Sequence, residues 1–369
     1  MIVSLKSFIK KETVLCIAFV CACITMLFVP IDSTYIEYID VRTLCLLFCL
    51  MGVVAAVKEL GIFKILTSKL LSSIKNGKVL SITLCLLPFF SSMMITNDVA
   101  LIVFVPFTLG LLDEQNEDKA IIPMLVLQTI AANLGSMATP VGNPQNLFLY
   151  ANYNLSISEF FMVMFPLTLL SFIGIVVASY PLLPKTLTQI DLQEETLKDK
   201  TKLIIYILLF GCSLLSVFKV VHYLITTLLV IETFICMDRK LLKELDYALL
   251  FTFVCFFVVS GNLGRVEVIS NFLEALLNQN TLLTSIASSQ IISNVPAAVL
   301  LSTFTSNYKE LLEGVNIGGL GTPIASLASI ITLKLYLRHP KANALRFLGI
   351  FMIANMIGLI LLTSYAMIF

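Results

Sequence analysis

Long apolar runs alternate with short charged segments along almost the whole chain. About 20 apolar residues in helical form cross a hydrocarbon core roughly 30 Å thick, so the pattern predicts transmembrane helices. Uninterrupted runs lie at about 13–30, 41–57, 159–183, 203–219, 221–237, 247–262 and 345–367. Two longer runs, 120–150 and 311–337, are interrupted by glycine, proline and polar residues. Two further blocks, 79–112 and 281–305, are broken in the middle by Thr96-Asn97-Asp98 and Ser293-Asn294-Val295. These two suit re-entrant helical hairpins that leave on the side they entered. The expected fold is thus an all-α polytopic membrane protein of about nine spans plus two hairpins.

Loop charge orients the spans. Lys6, Lys10 and Lys11 precede the first run, and an amphipathic stretch at 58–78 carries Lys58, Lys64, Lys69, Lys75 and Lys78. With 79–112 and 281–305 treated as hairpins, these segments fall on one side together with 184–202, 238–243 and 338–346. The positive-inside rule makes that side cytoplasmic. The N-terminus is then cytoplasmic and the C-terminus external. The acidic segment 113–119 also falls inside, a mild objection because acidic residues bias topology little. The N-terminal region has the charged and apolar parts of a signal peptide, but its run is too long and many spans follow, so it reads as a first span.

The polar interruptions occur twice in the same order. Leu60-Gly61-Ile62-Phe63 resembles Leu263-Gly264-Arg265-Val266, within a second amphipathic stretch at 264–278. Ile95-Thr96-Asn97-Asp98-Val99-Ala100 resembles Ile292-Ser293-Asn294-Val295-Pro296-Ala297, and the segment Asn133–Pro140 resembles Asn316–Pro323. The chain therefore divides into a first repeat (1–183), a linker loop with a joining span (184–219), and a second repeat (220–369). The odd joining span inverts the second repeat in the membrane. Inverted repeats with discontinuous helices are the layout of secondary transporters, with the site near the midplane.

Composition agrees and excludes other classes. Of 369 residues, 58% are hydrophobic and 13% charged, the latter about half the usual share for a soluble domain. Mean hydropathy is +0.98. Lys+Arg 24 against Asp+Glu 23 leaves no basic field for nucleic acid. The nine cysteines sit in apolar runs without a CxxC pair, as small packing residues rather than a metal or redox site. No nucleophile–base set, metal-ligand spacing or phosphate loop suggests an enzyme.

Broken backbone at membrane depth is tolerated only when buried in protein or lining a wet cavity. In 135–146 and 318–326, glycine and proline would end the helical ladder. Freed carbonyls around Gly135, Ser136, Gly142, Gly318 and Gly319 suit Na⁺, and freed N–H groups at half-helix starts suit an anion. The tips add the hydroxyls of Thr96 and Ser293 and the amides of Asn97 and Asn294, suited to Na⁺ and to a carboxylate. Thr139, Pro140, Asn143, Thr322, Pro323 and Ser326 are expected to line the same cavity. These segments hold no Lys or Arg, so an anionic substrate would be met by helix ends, amides and a co-bound cation. Asp98 is their single acid; it ligates a cation, carries a proton or caps a helix. Val295 is its repeat counterpart, so the two cation sites need not be equivalent. Glu232 and His222, near span ends, read as interface anchors or local pairs rather than a proton path.

The stretches ITNDVALIVFVPF (95–107), NLGSMATPVGNPQNLFLY (133–150), SNVPAAVLLS (293–302) and GVNIGGLGTPIASLASI (314–330) resemble the ion transporter superfamily. That superfamily includes divalent anion–sodium symporters, citrate carriers and arsenite permeases, and the match is nearest to bacterial anion or citrate permeases. The resemblance implies a homodimer with a scaffold part and a transport part that moves as an elevator. In the symporter branch, Ser-Asn-Thr triplets at both tips hold Na⁺ and a substrate carboxylate. Both asparagines match here, as Asn97 and Asn294, while Asp98 and Val295 replace the third hydroxyl. The chain is also shorter than typical symporters by about two spans.

The expected function is secondary active transport of a small organic anion, a di- or tricarboxylate such as citrate or succinate. It needs no cofactor beyond Na⁺ as the coupling ion, with lipid and a second copy as partners in the cell membrane. The alternatives are proton coupling through Asp98, an oxyanion such as arsenite, and, from another class, a channel or a sensor. No soluble output domain supports a sensor.

Overall fold

The computed structural model describes residues 8–9, 12–71, 74–185, 197 and 199–369. Lys6, Lys10 and Lys11, and most of the charged loop 184–202, lie outside the described residues. Among the described residues every regular element is a helix.

Helix α1 (Thr13–Met26) and a short α2 (Thr34–Tyr38) lead to α3 (Val41–Glu59) and the amphipathic α4 (Ile62–Leu71). The first polar-interrupted block forms α5 (Gly77–Ile95) and α6 (Asn97–Glu114), broken at Thr96. The first interrupted span forms α7 (Asp118–Ser136) and α8 (Pro144–Asn152), and α9 (Ile157–Ser179) follows. Next come α10 (Lys200–Val217), α11 (Tyr223–Met237), α12 (Arg239–Glu244), α13 (Tyr247–Gly264) and amphipathic α14 (Glu267–Gln279). The second block forms α15 (Thr281–Ile292) and α16 (Asn294–Leu301), broken at Ser293. The second interrupted span forms α17 (Tyr308–Ile317) and α18 (Leu327–Tyr336), and α19 (Ala344–Ile368) follows. Polar residues between apolar runs act as N-caps: Asp40 accepts from Thr43 N, Asn280 from Leu283 N, and Ser156 with Glu159 forms a capping box.

Among the described residues, seven helices are long and apolar enough to cross a membrane: α3, α5, α7, α9, α10, α13 and α19. Two runs read as spans are shorter as helices, α1 with 14 residues and α11 with 15. The paired arms differ: α5 and α6 have 19 and 18 residues, whereas α15 and α16 have 12 and 8.

Helix α7 lies at the centre, 83% buried along its apolar window, against 22% for the peripheral α19. Exposed apolar side chains such as Ile353, Ile360 and Leu361 on α19 suit lipid. Helices α5 and α6 pack along α7, and α15 and α16 along α17. Each block also packs on the far half of the other interrupted span: α6 on α18, and α16 on α8. Small residues bring the arms close. An added Cβ at Gly135 would lie 2.0 Å from the Phe89 carbonyl, and at Gly314 and Gly318 it would meet Ser285 and Ser289 at 2.6 and 2.7 Å.

A second group, α3 with α10 and α11 and α13 with α1, flanks this centre. It touches both blocks. Val54 of α3 clusters with Ile95, Ala100 and Phe104 of the first block. Ser260 of α13 instead meets the base of the second block, lying 2.6 Å from Thr303 Oγ1 and donating to Val299 O at 3.2 Å.

Candidate functional site

Both tips break their helix with the same unusual backbone. Thr96 has φ 69° and ψ 151°, and Ser293 has φ 75° and ψ 155°. That region is essentially reserved for glycine and costs on the order of 1–3 kcal/mol for other residues. The polypeptide restarts a helix at the next residue in each case, so the first-turn N–H groups of α6 and α16 face the break without a side-chain cap. The starts of α8 and α18 face the same region, giving four positive helix ends and no cationic side chain among 95–98, 135–146, 292–295 and 318–326.

The two interrupted spans lock to each other reciprocally. Asn143, N-cap of α8, donates to Asn316 Oδ1 at 3.2 Å, and Ser326, N-cap of α18, donates to Asn133 Oδ1 at 3.0 Å. These contacts pair repeat counterparts. The hydroxyls do the same at the tips: Thr139 Oγ1 donates to Met93 O at 2.5 Å, and Thr322 Oγ1 to Gln290 O at 3.3 Å. Both threonines therefore tie a break to a tip. Ser136 Oγ accepts from Asn143 Nδ2 at 3.1 Å, and Ser293 Oγ donates to Ala325 O at 3.2 Å.

The two tip amides differ. Asn97 Nδ2 donates to Asn133 Oδ1 at 2.9 Å, and Asn97 Oδ1 accepts from Asp98 N. Asn294 is equally buried, 5% exposed in both cases, but its side chain has no hydrogen-bond partner among the described residues. Its Nδ2 lies 3.0 Å from where a Cβ on Gly319 would stand, so a larger residue there would crowd that amide. Asp98 Oδ1 is buried and has no hydrogen-bond partner. Gly142 is also pinned, since a Cβ there would lie 2.1 Å from Ser136 O. Of the expected lining residues, Pro140 is buried in its break and Pro323 is half-buried.

The polar centre includes residues that the sequence reading left out of the site. Asn133 Nδ2 reaches Gly319 O at 3.4 Å, and Asn316 Nδ2 donates to Asn146 Oδ1 at 2.6 Å. Asn146 Nδ2 in turn donates to the carbonyls of Met137 (3.3 Å) and Thr139 (3.2 Å). Gln290 donates to Gly318 O and Leu320 O at 2.8 and 2.9 Å and accepts from Thr322 N. Asn133 and Asn316 open the two repeated segments, so the repeat itself carried the signal for them. Gln290 has Met93 as its counterpart and gave none.

The sequence pattern described as citrate transporter matches residues 8–310. The chain is 36% identical to an uncharacterized transporter of Methanocaldococcus jannaschii over 334 residues, 90% of each chain. It is 28% identical to the inner membrane protein YbiR of Escherichia coli over 312 residues, 84% of this chain and 83% of that one. A shorter match, 35% over 135 residues, is to the silicon efflux transporter of Oryza sativa, covering 37% of this chain and 27% of that one.

Proposed function

The chain belongs to the citrate transporter family, a membrane transporter and not an enzyme, and from that premise we propose that it carries a small di- or tricarboxylate coupled to Na⁺. The observation that carries this reading is the doubled break. Hydrogen bonds link the four helix starts, Asn97 and Ser326 both to Asn133, Asn143 to Asn316, and Asn294 N to Ala325 O, and 95–98, 135–146, 292–295 and 318–326 hold no lysine or arginine. Neutral donors and helix ends can hold a carboxylate but leave net negative charge, which a co-bound cation neutralises. In this reading Asn294 donates to the substrate directly, and Asn97 is released from Asn133 when substrate binds. Thr96, Asp98, Ser293 and the carbonyls of Gly135, Ser136, Gly142, Gly318 and Gly319 supply oxygen ligands for the cation. Thr139, Pro140, Asn143, Thr322, Pro323 and Ser326 wall the cavity.

The two blocks act as re-entrant hairpins in inverted repeats. Helices α15 and α17 have 12 and 10 residues, about 18 and 15 Å at 1.5 Å per residue. That reaches about half of a 30 Å core. The reciprocal bonds at Asn143–Asn316 and Ser326–Asn133 hold both breaks at one depth. Helix α5, with 19 residues, then projects roughly 10 Å further, on the side that carries Lys75 and Lys78. The central group would move as an elevator against α3 and α13 of a dimeric scaffold.

A second reading couples transport to protons through Asp98, whose buried Oδ1 has no partner. Uptake of labelled citrate, succinate and arsenite into proteoliposomes, with and without a Na⁺ gradient and across pH, tests both. Na⁺-stimulated carboxylate uptake supports the first reading. Uptake that follows only a pH gradient and is lost in Asp98→Asn supports the second. Ohmic current without counterflow would sink both in favour of a channel.

A further inference from the structure

Away from the breaks, a pocket of about 380 Å³ is lined by Arg42, Ser216, Lys219, Val221, His222 and Tyr223. Arg42 comes from the first turn of α3 and the others from the end of α10 and the start of α11. Three basic residues meet here, yet among the described residues none forms an ion pair with a carboxylate. Among the described residues the Arg42 side chain makes no hydrogen bond. Lys219 Nζ donates to neutral acceptors, the Asn154 side-chain oxygen and Leu155 O (3.3 Å), and lies 5.7 Å from the Tyr150 ring centroid. Glu159, the acid whose charge reaches Lys219, is held by the capping box of α9, where it accepts from Ser156 N at 2.7 Å.

The lysine is placed deliberately by the backbone. Lys219 follows α10 with φ 65°, a left-handed position that favours glycine or asparagine. Its ammonium lies near enough to Arg42 for the two positive charges to act on each other. Burial pushes the Lys219 pKa down and the Arg42 guanidinium pushes it the same way, while Glu159 opposes them. Such a like-charge pair is destabilising until an anion joins it. His222 Nδ1 accepts from Leu224 N at 3.3 Å, which leaves Nε2 to carry a proton as a donor without requiring a positive charge. Its ring is stacked on Tyr223 at 4.5 Å and so is held in place.

The pocket also borders the loop between α8 and α9. Asn154 and Leu155 directly follow α8, and Tyr153 OH donates to Thr305 O at 2.7 Å, at the base of the second block. The pocket is lined by the α3–α10–α11 group, and Lys219 links it to the loop that follows α8 of the central group. We propose that Arg42, Lys219 and His222 form a peripheral site that holds a multivalent small carboxylate at the mouth of the transport path, before it reaches Asn97 and Asn294. This deepens the reading as a carboxylate transporter and rests on it. Two guanidinium or ammonium contacts and one imidazole N–H match the spacing-tolerant charge of a di- or tricarboxylate better than a monovalent anion. Concentrating anions at a charged mouth raises capture rate and makes it sensitive to ionic strength.

The chain has no tryptophan, so Tyr223→Trp places a single reporter on His222, and Val221→Trp provides a second. The reporter protein is placed in phosphatidylcholine nanodiscs and titrated with citrate. The proposal expects a saturable fluorescence change whose midpoint rises at least about tenfold in Arg42→Gln with Lys219→Gln. The same change should persist in Asn97→Ala with Asn294→Ala, which removes uptake. No response, or a response indifferent to the Arg42 and Lys219 substitutions, overturns the pocket while leaving the transport reading intact. A response to phosphatidylglycerol in the disc but not to citrate assigns the cluster to a lipid headgroup and overturns it as well. If the pocket binds citrate but no carboxylate is taken up by the unsubstituted protein, the transport reading fails instead.

Discussion

In the first unit the tip amide of Asn97 is bonded to Asn133 and the next residue is Asp98; in the second, the Asn294 amide has no partner and the next residue is Val295. The strained backbone at Thr96 and Ser293 is nearly superimposable in φ and ψ, and the cross-bonds at Asn143–Asn316 and Ser326–Asn133 are counterparts. What the two units share is therefore the framework that opens the helices. What differs is the side chain placed at each opening. Retained strain with diverged side chains fits the proposed function if the shared framework serves both tips while Asn294 is free for the anion at rest and Asp98 adds a charge for the cation at the first tip alone.

The largest expected effect tests the shared framework. Gly135→Val should abolish the folded state, because its Cβ would stand 2.0 Å from the Phe89 carbonyl of an adjacent helix backbone. Overpacking of this kind costs about 3 kcal/mol or more. Gly318→Ala meets the Ser289 side chain as well as backbone, and should yield more folded protein in detergent than Gly135→Val. Gly349→Ala, with open space around it, should leave the yield unchanged.

The tip amides provide a finer contrast. Asn97→Ala removes a donor from buried Asn133 and should cost about 1–3 kcal/mol, seen as a lowered melting temperature. Asn294→Ala removes an amide that holds nothing and should melt within error of the unsubstituted protein. Equal losses in both would mean that the two amides do the same structural job. Asp98→Asn keeps the shape of the first tip but removes its charge. Cation stimulation of uptake should fall about tenfold or more, while Val295→Ala leaves stimulation intact.

The smallest effect lies outside the membrane core, at the pair that ties the loop after α1 to the end of α13. Arg265 donates to Asp32 at 2.7 Å, and this guanidinium holds the Asp32 carboxyl down at about 2. A depressed carboxylate pKa stabilises the fold above its unfolded value, about 3.9, and that contribution is lost as pH falls toward 2. Asp32→Asn should therefore lower the melting temperature slightly at pH 7 and not at pH 2. Both partners are well exposed, so the shift is small.

Much of the helical layout was legible because apolar run length and polar interruption report directly on helices and their breaks. The interruptions at Thr96, Ser293, 137–143 and 318–326 all fall where glycine, proline and amide clusters stand in the sequence. The bounds 79–112 and 281–305 already made the first block the longer one, but the full disparity of the arms was not legible. Hydropathy does not say how far an apolar helix continues beyond its partner, and α5 extends to 19 residues where α15 has 12. At the site, residue types could nominate Asn97 and Asn294 but not distinguish them. Whether an amide is bonded depends on cross-chain geometry, here Asn133 beside one tip and Gly319 beside the other. The charge cluster of Arg42, Lys219 and His222 was invisible for the same reason, since it joins residues from distant parts of the chain.

The most direct test of two breaks forming one anion site is counterflow of labelled citrate and succinate in proteoliposomes. It would use the unsubstituted protein and Asn294→Ala, with folded amounts matched. The account predicts Na⁺-stimulated exchange in the former and its loss in the latter, despite an unchanged melting temperature. Near-normal exchange by Asn294→Ala would contradict it.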